Sequence, residues 1–392
     1  MEINSTIESI PRSGIRRIMD LALAKDPDRK QIIHLEVGMP NEETHPAICE
    51  KAAFAALHGY TKYTPNLGLL ELRQAIAKKL REKNLYPTSL VNPEHIFVVP
   101  GATYGISIVL GVLLNHGDEV LVPDPGYPNF STSVAHFAGT PVHYQLSEED
   151  GFSIDCHRLE QLITSKTKVL IINSPSNPTG AVLSREKIIE LTQLAKKHNL
   201  WILSDEVYEH YIFGNSIHYS PIALSDYKKI IAVYSFSKSY NMTGFRVGYV
   251  ISNHTRFCES MLKAQEMYIS CAPAISQIAA IEALNLETNI VQNLQQQYSS
   301  KFDLALGLLK GKIKYRPQGA FYILINITNT SLNSNQVADR LLEEACVAVA
   351  PGATFGPTSD AYIRIALTAN LPLLKDGIQR ILNFINSYEV RQ

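Results

Sequence analysis

Short, β-branched apolar runs separated by longer amphipathic stretches constrain this chain more than any other feature of its sequence. HIFVVP (95–100), EVLV (119–122), KVLIIN (168–173), LWILS (200–204) and KIIAVY (229–234) are almost continuously apolar. A strand apolar on both faces belongs in a parallel sheet buried between two layers of helices. The intervening stretches carry the other period. Residues 69–83 place Leu72, Ile76 and Leu80 four apart, with Lys78, Lys79 and Arg81 elsewhere on the cylinder. Residues 185–199 repeat the pattern with Ile188, Leu191, Leu194 and Ala195. This alternation predicts βαβ units and an α/β core with a mostly parallel, helix-covered sheet.

At 392 residues the chain exceeds what one hydrophobic core usually serves, which predicts a large domain and a smaller one. The texture changes after about residue 285, to a polar helix, FYILINI (321–327), a helix near 335–345 and YIRIAL (362–367). That reads as a second, α+β layer. The first forty residues are too few for a core of their own and are expected to pack on it. The expected division is therefore 1–40, 41–284 for the large domain and 285–392 for the small one.

Charge and cysteine usage remove several function classes. The formal net charge is −1 with no block of Lys or Arg, so nucleic acid is a poor partner. Five cysteines, Cys49, Cys156, Cys258, Cys271 and Cys346, are scattered and never in CxxC spacing. Neither a disulfide framework nor a metal site is expected from them. No apolar run approaches the roughly 18 residues of a membrane span, and MEINSTIESIPRSGIRR has no apolar secretory core. The expected location is the cytoplasm.

Four segments at strand ends carry the candidate chemistry. YSFSKSYNMTGFRVGY (234–249) sets Lys238 among serines directly after a buried strand, with Arg246 eight residues on. Loops at the carboxyl ends of parallel strands build α/β active sites, although a lysine in a Ser-rich loop, taken alone, faces solvent. INSPSNPTG (172–180) reads as a tight turn or as a set of hydrogen-bonding groups for a ligand. In LSDEVYEHY (203–211), Asp205 either caps a following helix or presents a buried carboxylate. VPGATYGI (99–106) leads from a strand into an apolar helix, where backbone N–H groups suit a phosphate; it lacks the GxGxxG spacing of a dinucleotide site.

SFSKSYNMTGFRVG resembles the lysine signature of class-I aminotransferases of PLP fold type I, and the other segments resemble that family's remaining motifs in order, from Gly38 to Arg364. The resemblance implies pyridoxal 5′-phosphate (PLP) as cofactor. Lys238 would form the Schiff base and act as base at the substrate Cα. Asp205 matches the carboxylate that keeps the pyridine nitrogen protonated. Asn177 and Tyr208 match the pair that bonds the cofactor's phenolic oxygen, and Tyr127 the aromatic stacked on the ring. Phosphate is assigned to the backbone of Ala102 and Thr103, the hydroxyls of Ser235 and Ser237, and Arg246. Tyr63 matches a tyrosine that reaches the neighbouring subunit's phosphate, which implies a homodimer with shared sites. Arg364, Gly38 and Asn177 are assigned to the substrate, Arg364 clamping its α-carboxylate.

The implied reaction moves an amino group between an L-amino acid and a 2-oxo acid. C–S β-lyases and PLP-dependent oxidases share the scaffold and stand as alternatives. A cofactor-sensing regulator would need a DNA-binding module, for which the motif set leaves no room. For the side chain, Thr103 stands where some aspartate aminotransferases have a lysine, and residues 263–276 offer only Lys263. A neutral, aromatic or aliphatic donor is therefore expected, with Arg12, Arg16 and Arg17 read as a solvated helix face.

Overall fold

The computed structural model describes residue 3 and residues 5–389. Its centre is a seven-stranded sheet. In spatial order the strands are Ile96–Val99, Gly248–Ser252, Ile230–Ser235, Trp201–Asp205, Thr167–Asn173, Glu119–Asp124 and Thr140–Gln145. The last five pair in parallel, and Gly248–Ser252 runs antiparallel to both of its neighbours. All five apolar runs are strands of this sheet. Their double-faced apolarity has a direct cause. Ile171, Leu203 and Val233 point into one core with Val99, Ile106 and Val109. Ile172, Ile202 and Tyr234 point into the opposite core with Leu72, Ile76 and Leu80. Helices cover each face, as the expected α/β architecture requires.

The two amphipathic stretches are the helices Leu70–Glu82 and Arg185–Lys197, the latter capped where Ser184 accepts from the Lys187 N–H at 3.2 Å. Lys79 departs from the polar face expected of it. It is 5% exposed, 2.5 Å from Glu209, with its ammonium 5.0 Å from the centre of the Tyr234 ring. A lysine can be buried when a carboxylate and an aromatic face replace its water. Two strands are not announced by any apolar run. Thr140–Gln145 lies at the sheet edge and is largely polar, and Gly248–Ser252 is hidden in the tail of the lysine segment.

A second sheet joins Ala350–Pro351, Tyr362–Ala366 and Tyr322–Asn326, all antiparallel. Ile33–His34 pairs in parallel with Val347–Ala348. Ile18, Ala22, Ile33 and Leu35 share one core with Ile323, Ile325, Ile363, Ile365, Leu374 and Ile378. Early and late parts of the chain thus pack together against the helix Leu371–Ser387. Among the described residues no helix is long and apolar enough to cross a membrane.

Candidate active site

Strand register collects the candidate residues. Asn173 pairs with Asp205, and Asp205 with Val233, so two neighbouring strands end level and the third runs two residues further, to Ser235. The chain leaving these three strands lines one ledge: the 174–180 turn, the 206–211 turn and the Lys238 segment.

A solvent-facing loop is the sequence expectation for Lys238, and the structure corrects it. Ser235 Oγ accepts from the Ser237 N–H at 3.1 Å and starts the short helix Phe236–Ser239, on which Lys238 is only partly exposed. Its Nζ donates to the Gly38 carbonyl at 2.6 Å. Its own carbonyl accepts from the Tyr211 hydroxyl at 3.0 Å. Burial pushes the amine down to about 8, with the positive charges of Arg364, Arg246 and Arg16 adding to the effect and Asp205 opposing it. Asp205 is 3% exposed. Burial pushes its carboxyl up to about 7; neighbouring Glu206 adds, while the Val207 N–H at 3.2 Å and Lys238 oppose. It caps no α-helix: the residues after it form a turn.

Arg364 sits in the strand Tyr362–Ala366 at 1% exposure. One Nη donates to Asn177 Oδ1 at 3.1 Å and the other to the Glu36 carbonyl. The guanidinium lies 4.3 Å from the centre of the Tyr322 ring and 4.8 Å from that of Phe355. Its Nε has no partner among the described residues. A buried cation with an open donor is a receptor for an anion. Asn177 is itself held by its N–H on Asn173 Oδ1 at 2.8 Å. Tyr208 bonds the Tyr322 hydroxyl at 2.7 Å, so Asn177, Arg364, Tyr322 and Tyr208 form one connected chain. Gly38 closes the corner, where a Cβ would overlap the Tyr322 hydroxyl.

The other end of the ledge brings a helix start beside a second arginine. Gly101, at φ +87°, begins the helix Ala102–Leu113 without a side-chain cap, so the Ala102 and Thr103 N–H groups precede its first intrahelical bond. Arg246, itself at φ +53°, crosses Gly101 closely enough that a Cβ there would strike its guanidinium. It donates to the Thr243 carbonyl at 2.8 Å and to the Pro100 carbonyl at 3.3 Å. Ser235 and Ser237 are buried close by in sequence to Lys238. Tyr127 bonds the Thr103 hydroxyl at 3.4 Å and meets Phe130 edge-on.

Tyr63 is different: it is 88% exposed and bonds none of these groups. Of the N-terminal arginines, Arg12 pairs with Asp20 and Arg17 with Asp339, both at 2.7 Å, while Arg16 bonds, among the described residues, the Met19 sulfur at 3.5 Å. Tyr322 and Tyr211 belong to the cluster and are missed by sequence reasoning, because a tyrosine in or beside an apolar strand passes for core. The available signal is that a buried hydroxyl needs a partner.

The family model for aminotransferases of class I and II matches residues 30–381. The chain is 36% identical to an aspartate aminotransferase of Pyrococcus abyssi, covering 97% of each chain. It is 33% identical to aromatic-amino-acid aminotransferase 2 of Thermococcus litoralis, again over 97% of each. Its fold superimposes on the crystal structure of an aromatic aminotransferase from Pyrococcus horikoshii with a TM-score of 0.87 at 34% identity, covering 95% of this chain and 99% of that one. Fold, ledge and likeness over nearly the full length agree: the chain is an enzyme that transfers amino groups and belongs to the class I and II aminotransferases.

Proposed function

We propose that this aminotransferase works with PLP joined to Lys238 and prefers a neutral or aromatic L-amino acid as donor to a 2-oxo acid. The observation that carries the reading is the pairing, on one ledge, of a buried amine brought down to about 8 with a buried carboxyl brought up to about 7. The donor set fits the cofactor. Backbone N–H groups at a helix start, two hydroxyls and Arg246 suit a phosphate dianion, and Asp205 offers an anion to a protonated ring nitrogen. When bound, the cofactor supplies an aldehyde carbon for the amino group and a ring that accepts electrons.

The chain's own residues do the rest. Lys238 Nζ, whose lowered pKa raises its neutral fraction, would take the proton from the substrate Cα and deliver it to the cofactor's aldehyde carbon. Arg364 receives the α-carboxylate through its open Nε and the Nη now on Asn177. Gly38 offers backbone to the same group. Tyr127 stacks, Asn177 and Tyr208 bond the phenolic oxygen, and Ala102, Thr103, Ser235, Ser237 and Arg246 hold the phosphate.

Tyr63, free in one protomer, serves the site of a second, which makes the enzyme a homodimer. The cytoplasm and the division at 1–40, 41–284 and 285–392 belong to the same reading. Mixing the holoenzyme with a panel of amino acids tests it. Loss of the lysine-bound cofactor's absorption with matching release of a 2-oxo acid is expected. Ammonia with pyruvate, or consumption of oxygen, would instead mark a lyase or an oxidase side reaction as the main one.

A further inference from the structure

The long helix Glu287–Leu308 carries a lysine that this reaction does not call for. Lys301 is 5% exposed, on a helix otherwise rich in polar residues. A buried ammonium is costly unless paired and hydrogen-bonded, and Lys301 is both. Its Nζ lies 2.7 Å from Glu42 Oε1 and donates to the Thr368 carbonyl at 3.2 Å. It also sits 4.5 Å from the centre of the Tyr298 ring, whose hydroxyl donates to the other Glu42 oxygen at 3.4 Å.

Its two partners lie on different arms of the carboxylate pocket. Glu42 is four residues past Gly38, whose carbonyl holds Lys238. Thr368 is four residues past Arg364, just beyond its strand. Between those arms the backbone already makes a bond, from the Ala366 N–H to the Leu35 carbonyl at 2.8 Å. Arg364 adds its bond to the Glu36 carbonyl. Tyr298 extends the hub the other way, edge-on to Tyr211 at 5.0 Å, and Tyr211 bonds the Lys238 carbonyl.

We propose that Lys301 is a positioning residue for substrate binding: by holding Glu42 and the Thr368 carbonyl together, it sets the spacing between Gly38 and Arg364 that admits an α-carboxylate. The inference rests on the role proposed for those two residues. A clamp of this kind acts on recognition more than on the chemical step, so its loss appears in KM.

Lys301→Met keeps the length of the side chain and removes the charge. In the holoenzyme it raises KM for the amino donor by about tenfold or more while kcat changes less than about threefold. The Kd for a 2-oxo acid, followed by the bound cofactor's absorption, rises in step, and cofactor content stays at the wild-type level. Glu42→Gln, which is milder and leaves Lys301 in place, shifts KM in the same direction by less and guards against a Met variant that fails to fold. Adding Glu42→Gln to Lys301→Met restores melting temperature, since it removes the unpaired carboxylate, but not KM. Variants that lose only melting temperature, with KM and Kd unmoved, would reduce Lys301 to packing. If the wild-type enzyme binds amines without a carboxylate as tightly as amino acids, the reading of Arg364 and Gly38 fails first.

Discussion

At the scale of single residues, Asp205 and Lys238 are held in the forms their burial favours, and this has a sign. Asp205 titrates near 7 in the folded protein against an ordinary 3.8. Between those values the fold binds a proton that the unfolded chain does not, so stability from this group falls as pH rises from about 4 to about 7 and its cost is complete above that. In cofactor-free protein, Asp205→Asn is expected to raise the melting temperature by several degrees at pH 8 and to change it little at pH 4. In the holoenzyme the same variant should lose on the order of a hundredfold or more in kcat, because a neutral amide no longer favours a protonated ring. An equal thermal gain at both pH values would sink the burial argument; unchanged kcat would assign Asp205's work elsewhere. Lys238 has the opposite window: its cost is complete below about 8 and is relieved as pH rises towards 10.5. Substrate choice is also a matter of residues. With Thr103 exposed at the helix start, and Arg12 and Arg17 already paired, an aromatic donor should exceed aspartate in kcat/KM by more than about tenfold. The reverse ranking in steady-state kinetics would turn attention to Arg16. Asp205, Asn177 and Lys238 are legible in sequence because each lies at, or within four residues of, the end of an apolar strand. Tyr322 is not, since its importance comes from stacking on Arg364, a contact 42 positions away that no local pattern records.

At the scale of elements, legibility depends on how many faces an element buries. Five strands buried on both faces announce themselves as unbroken apolar runs; Gly248–Ser252, also buried on both faces, is masked by its continuity with the lysine segment. The edge strand Thr140–Gln145 buries little and carries no apolar run. The helix of Lys238 has only four residues, too short for any period to show, and is made by a serine cap. The loop through Gly38 is a further case, because its demand for glycine comes from the Tyr322 hydroxyl across the pocket. Gly38→Ala is expected to lower kcat/KM by roughly a hundredfold as loop and tyrosine move apart, with the fold kept. Adding Tyr322→Phe, which removes the atom in the way, should recover part of that loss, a coupling that a double-mutant cycle measures. Losses that simply add would show that the two groups do not compete for space.

At the scale of the whole molecule, Tyr63 is exposed, and so are the apolar side chains of Phe54, Leu57, Tyr60, Met267 and Tyr268. Exposed apolar surface suits an interface, and the proposed homodimer would cover part of it. Mixing a Tyr63→Phe variant, if that change alone is severe, with Lys238→Ala should then regenerate activity, since hybrid dimers carry one intact site. A fully active monomer in sedimentation would rule this out. The receptor proposed for the α-carboxylate is assembled on the same global scale. Arg364 leans on Glu36 from the beginning of the chain, Asn177 from its middle, and Tyr322 and Phe355 from near its end. The helix Leu371–Ser387 then presses Ile33 and Leu35 into place through Gly377. In the direction of synthesis, the residues proposed for the amine, the carboxylate and the phosphate all precede residue 363, and the arginine proposed to receive the substrate comes after them. The cation of the proposed receptor is thus the last of these groups along the chain, and the helix Leu371–Ser387 that follows it packs on the segment carrying Ile33 and Leu35.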